Sequence, residues 1–251
     1  MTQILALAGF GFLLGMRHAT DADHVIAVTT ILNRSRRFLD TTLIGALWGL
    51  GHTITVVLVG VLIIVFNVVI PPPVGLAMEF AVALMLIGLG ILNLTGGLRS
   101  LTERLTPPAP IHAHDHAHGG TSHGHLHGHG EQRGLVATFG RYQLIRPVVV
   151  GLVHGLAGSA AVALLVLATI QDTGTALAYL VIFCVGVAAG MAVLTTVIGL
   201  PFMVSRRRSA QINRWLTVGS GILSLAFGLL LAYEIGIVGG LFTGEFNWEP
   251  A

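Results

Sequence analysis

Apolar and small residues run almost unbroken through six stretches of the chain, about residues 3–32, 41–66, 75–98, 144–170, 175–203 and 212–240. A helix needs about 20 such residues to cross a hydrocarbon core about 30 Å thick, and every stretch is long enough. None alternates with period two, so the pattern predicts helices rather than a β-barrel. Pro71, Pro72 and Pro73 follow the second stretch and end it. The first stretch has no basic start, and it carries Arg17, His18, Asp21, Asp23 and His24 where a signal-peptide cleavage site would fall. It reads as a retained helix.

Composition agrees with the pattern. Of 251 residues 54% are hydrophobic and only 10% charged, against about 25% charged in soluble domains, and the mean hydropathy is +0.84. There is too little polar surface for a water-soluble globule. The lone Cys184 excludes an intrachain disulfide, and a net charge of +2 is too small for a nucleic-acid binder. The basic residues are all arginines, and twelve of the thirteen fall between spans 1 and 2, around the 3–4 connection, or between spans 5 and 6. Arginine collects on the cytoplasmic side, so a multi-pass protein of the cytoplasmic membrane is expected, with both termini outside. Arg17 alone lies within a span, where a charge must be functional or internally paired.

The halves resemble one another. Gly15-Met16-Arg17-His18 matches Gly151-Leu152-Val153-His154, and Gly51 with Gly60 matches Gly190 with Gly199 at the same spacing. Spans 3 and 6 share a Gly/Leu texture around Gly88 and Gly228. A three-span repeat has odd parity, so its second copy enters the membrane upside down, a plan recurrent in secondary transporters. The expected fold is all-α, six transmembrane helices arranged as two inverted three-helix repeats. Residues 1–98 and 144–251 form the repeats, and residues 99–143 form the loop between them.

Span 1 carries the densest chemistry, Arg17-His18-Ala19-Thr20-Asp21-Ala22-Asp23-His24. Each charge at mid-helix costs about 2.5–3.5 kcal/mol on insertion scales, so these groups cannot face lipid. On a regular helix His18, Asp21 and His24 share a strip, while Asp23 points elsewhere. Local unwinding around residues 15–24 is therefore expected, lining a polar cavity, with Arg17 paired to Asp21 or Asp23. Imidazole and carboxylate donors without thiolate suit Ni(II), Co(II), Cu(II) or Zn(II). His52 in span 2 and His154 in span 4 are further candidate ligands, the latter because the repeat aligns it with His18. The competing structural reading is a buried Arg–Asp pair that the histidines merely satisfy, and Met191, aligned with His52, reads as apolar filler.

The segment from Arg17 to His24 has the His-x4-Asp-His form that resembles the signature of the nickel/cobalt transporter (NiCoT) family. The Leu-Gly-His-Thr of residues 50–53 resembles that family's second signature, one helix later. The resemblance implies secondary transport of Ni2+, often with Co2+, and assigns metal recognition to His18, Asp21, Asp23 and His24. It also implies that the metal is cargo, with no resident cofactor. Many family members carry an extra helix before the signature helix, whereas this chain opens almost directly at it.

Between spans 3 and 4 lie His112, His114, His116, His118, His123, His125, His127 and His129, mostly in His-x-His alternation. Neighbouring prolines and glycines predict a flexible segment, read as a cytoplasmic metal buffer; the alternative is a low-complexity insertion with no transport role. Glu79, Glu234 and Asn93 are weaker candidates, for cation attraction or helix packing. No Gly-x4-Gly-Lys-Ser/Thr and no His-Glu-x-x-His occurs, so neither an ATP-driven pump nor a zincin-type membrane metalloenzyme is favoured. An exporter built on the same fold is the main rival to uptake.

Overall fold

The computed structural model describes residues 2–32, 38–66, 70–97, 100, 111–118, 121–128, 141–156, 170 and 172–248. Helices α1 (Thr2–His18), α2 (Ala22–Ile31), α3 (Phe38–Phe66) and α4 (Pro72–Leu94) make up the first half. Strands β1 (Ile111–His118) and β2 (Thr121–Gly128) follow, then α5 (Arg141–His154), α6 (Thr173–Arg208) and α7 (Ala210–Tyr233), which ends in a π-helical turn, Glu234–Val238. Among the described residues four segments are long and apolar enough to cross a membrane: Thr41–Phe66, Pro72–Leu94, Thr173–Phe202 and Gln211–Val238. Their outward faces carry Leu58, Val181, Val197 and Leu230, each more than half exposed, as lipid-facing positions require. Inside, Trp48, Leu86, Tyr179, Phe183 and Met191 are buried in one core.

The first apolar stretch is broken, as its polar centre predicts. α1 stops at His18 and α2 starts at Ala22. The fourth stretch is described only as far as residue 156, with α5 ending at His154; its remainder lies outside the described residues except Ile170. The histidine-rich segment, read from the sequence as flexible, instead pairs as an antiparallel hairpin. His-x-His alternation has the period of a strand, and the register sets His112, His114 and His116 opposite His127, His125 and His123. His118 lies opposite Thr121, and His129 lies outside the described residues.

Glycines let the helices approach backbone to backbone. α1 packs on α6, α3 on both α5 and α6, and α4 on α7. A Cβ on Gly15 would strike the backbone of Phe183 and Val187, and one on Gly186 the backbone of Phe12. The same contacts recur between the other helices. A Cβ on Gly151 would strike Trp48 and His52, and one on Gly51 would strike Val148. Position 15 thus reappears as 151, 12 as 148, 183 as 48 and 187 as 52. Gly90, against Gly221 and Leu225, and Gly228, against Ala83 and Ile87, exchange in the same way. In these contacts Gly51 takes the place that Gly186 takes, one turn from the Gly190 suggested by sequence spacing.

The helix ends repeat too. Ala19 N donates to Gly15 O at 3.2 Å and Thr20 N to Arg17 O at 2.8 Å. Gly155 N donates to Gly151 O at 2.8 Å and Leu156 N to Val153 O at 3.2 Å. His18 and His154 therefore close their helices in the same way. At the start of α6 the exposed Asp172 carboxylate accepts from Thr175 N and Thr175 Oγ1, both at 2.7 Å, and these bonds lower its pKa. This cap is present above the usual aspartate range and is lost as pH falls through the lowered value.

Gly151→Val should destabilise the bundle by about 1–3 kcal/mol, the usual cost of overpacking. Gly88→Val, with nothing within 4 Å of the added carbon, should change little. Thermal unfolding of the two variants in detergent checks the difference.

Candidate metal centre

The break between α1 and α2 builds the centre. Thr20 Oγ1 donates to Arg17 O at 2.6 Å, closing the last turn of α1. Asp21 takes the N-cap position of α2 in an extended conformation but makes no side-chain cap there. Its carboxylate turns back and accepts from His18 Nδ1 at 2.9 Å. Asp23 sits in the first turn of α2, where the helix dipole favours a negative charge. The break also corrects the direction that a continuous helix would give Asp23. One of its oxygens, Oδ1, lies 3.0 Å from His24 Nδ1, and the other, Oδ2, lies 2.9 Å from His154 Nε2.

Two other helices complete the cluster. His52, on α3, places Nε2 3.1 Å from His18 Nε2, and His154, at the end of α5, places Nε2 3.2 Å from His24 Nδ1. All four imidazoles are buried, at 5% exposure for His18 and 1% or less for the others. Asp23 is mostly enclosed, with 14% of its side chain exposed, whereas Asp21 keeps 39%. The donors fall into two triads, His18–His24–His52 and Asp23–His24–His154, each with its ligand atoms within 4.8 Å of one another.

Partner chemistry assigns the protons. A carboxylate only accepts, so a nitrogen that hydrogen-bonds one must carry the proton. His18 then donates from Nδ1 and His24 from Nδ1, which leaves Nε2 of each ring as a lone pair. Among the described residues His24 Nε2, His52 Nδ1 and His154 Nδ1 are buried without a hydrogen-bond partner. His24 and His154, each bonded to Asp23 through one ring nitrogen with the other buried and without a partner, have the arrangement that metal-binding histidines take.

Arg17 does not join them. It is exposed on the outside of the bundle, and among the described residues the partners of Asp21 and Asp23 are histidines. The expected Arg–Asp pair is thus replaced by His–Asp pairs, because residue 17 faces outward where residues 18 and 24 face in. Glu79 accepts from Trp248 Nε1 at 3.0 Å and Glu234 is exposed, so neither belongs to the cluster. Asn93 makes an interhelical bond to Thr217 O at 3.0 Å, and Met191 is core. Sequence reasoning missed Trp48, whose ring stacks on His24 at 5.7 Å and meets His154 edge-on at 5.5 Å. The available signal was its position, one turn before His52 on the same helix face.

Asp23→Ala would strip the acceptor from two buried imidazoles, at about 1–3 kcal/mol for each group left unsatisfied. Asp21→Ala affects one imidazole beside a more open carboxylate and should destabilise less. Unfolding midpoints of the two variants, compared in metal-free detergent, check the order.

Comparison with known proteins agrees with the chemistry of the cluster. The sequence profile of NicO, described as a high-affinity nickel-transport protein, matches residues 4–238. The urease accessory protein UreH of Bacillus sp. (strain TB-90) is 34% identical over 240 residues, covering 96% of this chain and 96% of that protein. No solved structure matches. Nickel is thus cargo rather than cofactor, and the chain is a multi-pass membrane transporter and not an enzyme. The protein belongs to the NicO family of high-affinity nickel transporters.

Proposed function

We propose that this chain is a secondary transporter that carries Ni2+, with Co2+ as a second cargo, inward across the cytoplasmic membrane through the cluster around Asp23. The observation that carries the reading is convergence. Four buried imidazoles and two carboxylates, supplied by α1, α2, α3 and α5, meet inside a bundle of membrane-length apolar helices. Neighbouring donors lie 2.9–3.2 Å apart. Bonds of about 2.1 Å at right angles span about 3 Å, so the spacing suits an octahedral divalent cation with nitrogen and oxygen ligands. The candidate ligands along the ion's path are His18, His24, His52, His154 and Asp23, with Asp21 orienting His18.

In this reading residues 1–98 and 144–251 are inverted three-helix repeats, six spans in all, around the loop at 99–143. The recurrence of the glycine contacts and of the helix-end hydrogen bonds supports it. So does the placement of twelve arginines, which sets the loop inside and both termini outside. Rocking of one repeat against the other would open the cluster alternately to either side. An inside-negative potential favours entry by about 2.3 kcal/mol per charge per 100 mV, so a divalent ion needs no ATP. The name of the relative, an accessory protein of urease, fits delivery to an enzyme better than disposal of an ion. The histidines from His112 to His129 serve as a metal buffer beside the inner mouth.

Proteoliposomes under an inside-negative potential should accumulate radiolabelled Ni2+, with Co2+ competing, and His18→Ala or Asp23→Ala should reduce uptake to background. Near-normal uptake by either variant overturns the site assignment, and potential-driven movement only outward overturns the direction. Deleting residues 111–130 should lower the Ni2+ bound per molecule while leaving transport measurable. Complete loss of transport would contradict the buffering role.

A further inference from the structure

His24 belongs to both donor triads. Its Nδ1 lies 3.0 Å from Asp23 and 3.2 Å from His154. Its Nε2, buried and without a hydrogen-bond partner among the described residues, is the nitrogen left for His18 and His52. The triads are also displaced along the bundle, and α3 provides the ruler. The His52 ring centroid lies 5.1 Å from His18 and 5.2 Å from His24 but 6.1 Å from His154, whereas Trp48, about 6 Å along the axis, packs on His24 and His154.

We infer that the centre is two overlapping, mutually exclusive subsites, and that His24 passes the ion from one to the other. This rests on the transport site proposed above. The first subsite is all nitrogen: His18, His52 and His24 Nε2, with Asp21 and Asp23 holding the Nδ1 protons of His18 and His24. The second contains oxygen: an Asp23 carboxylate oxygen, His154 Nε2 and His24 Nδ1. A neutral imidazole has one protonated and one free nitrogen at a time, so neutral His24 can bind in only one subsite. On hand-over the ion leaves Nε2 for Nδ1; water carried with the ion takes the Nδ1 proton and returns one to Nε2, so the ring proton ends on Nε2. The proton on His154 Nε2 ends on its Nδ1, and neither ring gains or loses charge. With both termini outside, α1 enters from outside and reaches His18 before Asp23 and His24. His18–His52 is then the entry side and Asp23–His154 the exit side.

The test uses the full-length protein with its eight loop histidines, His112 to His129, changed to serine, so that only the centre binds. Equilibrium dialysis against radiolabelled Ni2+ should give one ion per chain at saturation. His52→Ala and His154→Ala should each keep one ion, with affinity about 10- to 100-fold weaker, the range for disturbing a metal's surroundings. His24→Ala, and the His52→Ala/His154→Ala double variant, should fall well below either. Bound Co2+ should give different visible spectra in the two single variants, one with and one without a carboxylate ligand. Two ions per chain in the parent would overturn exclusivity. Loss of binding in either single variant as complete as in His24→Ala would mean one undivided site. No binding in the parent would instead overturn the transport site itself. If an alanine variant is not monodisperse in detergent, the corresponding glutamine variant takes its place under the same criteria.

Discussion

A carboxylate buried among membrane helices must be met by donors, and Asp23 is met by two imidazoles, His24 and His154, from different halves of the chain. Much of the architecture serves that meeting. The interruption at residues 19–21 turns Asp23 inward. α5 ends at His154 with the hydrogen-bond pattern that ends α1. Gly151 and Gly155 let α5 lie against the backbone of α3 at His52, which brings His154 within reach of the first half. A larger residue at either glycine would push the second imidazole away and leave Asp23 half satisfied.

In the proposed reading, imidazoles around an enclosed carboxylate let the centre hold a divalent ion without trapping it. Carboxylate charge lowers the cost of dehydrating the cation, while the histidines supply the nitrogen that late first-row metals prefer. Because its ligands come from both halves, a relative motion of the halves necessarily changes the coordination sphere. In the proposed mechanism, binding and movement would thereby be linked by geometry, the condition that alternating access requires.

Much of this was legible in the sequence. Long apolar runs foretold α3, α4, α6 and α7, and the charged centre of the first run foretold its break. Spacing alone gave the shared strip of His18, Asp21 and His24, and the internal similarity pointed to His154. Other features depend on tertiary placement. Arg17 adjoins His18, yet a 100° rotation per residue puts it on the outside of the bundle. Gly190 and Gly186 lie one turn apart on the same face, so only helix contacts distinguish which of them matches Gly51. Trp48 could have been core anywhere, and its role against His24 and His154 follows from where α3 packs on α5. The alternation at residues 111–128 carried a strand signal that prolines and glycines masked.

What surrounds the bound ion decides between a metal site and a structural cluster. X-ray absorption of the full-length protein, loaded with one Ni2+ after its loop histidines are changed to serine, reports that shell directly. A nitrogen-rich shell with the multiple-scattering signature of at least two imidazoles, lost in His24→Ala, is the predicted result. A shell of water and carboxylate oxygens alone, unchanged by His24→Ala, would contradict the central claim.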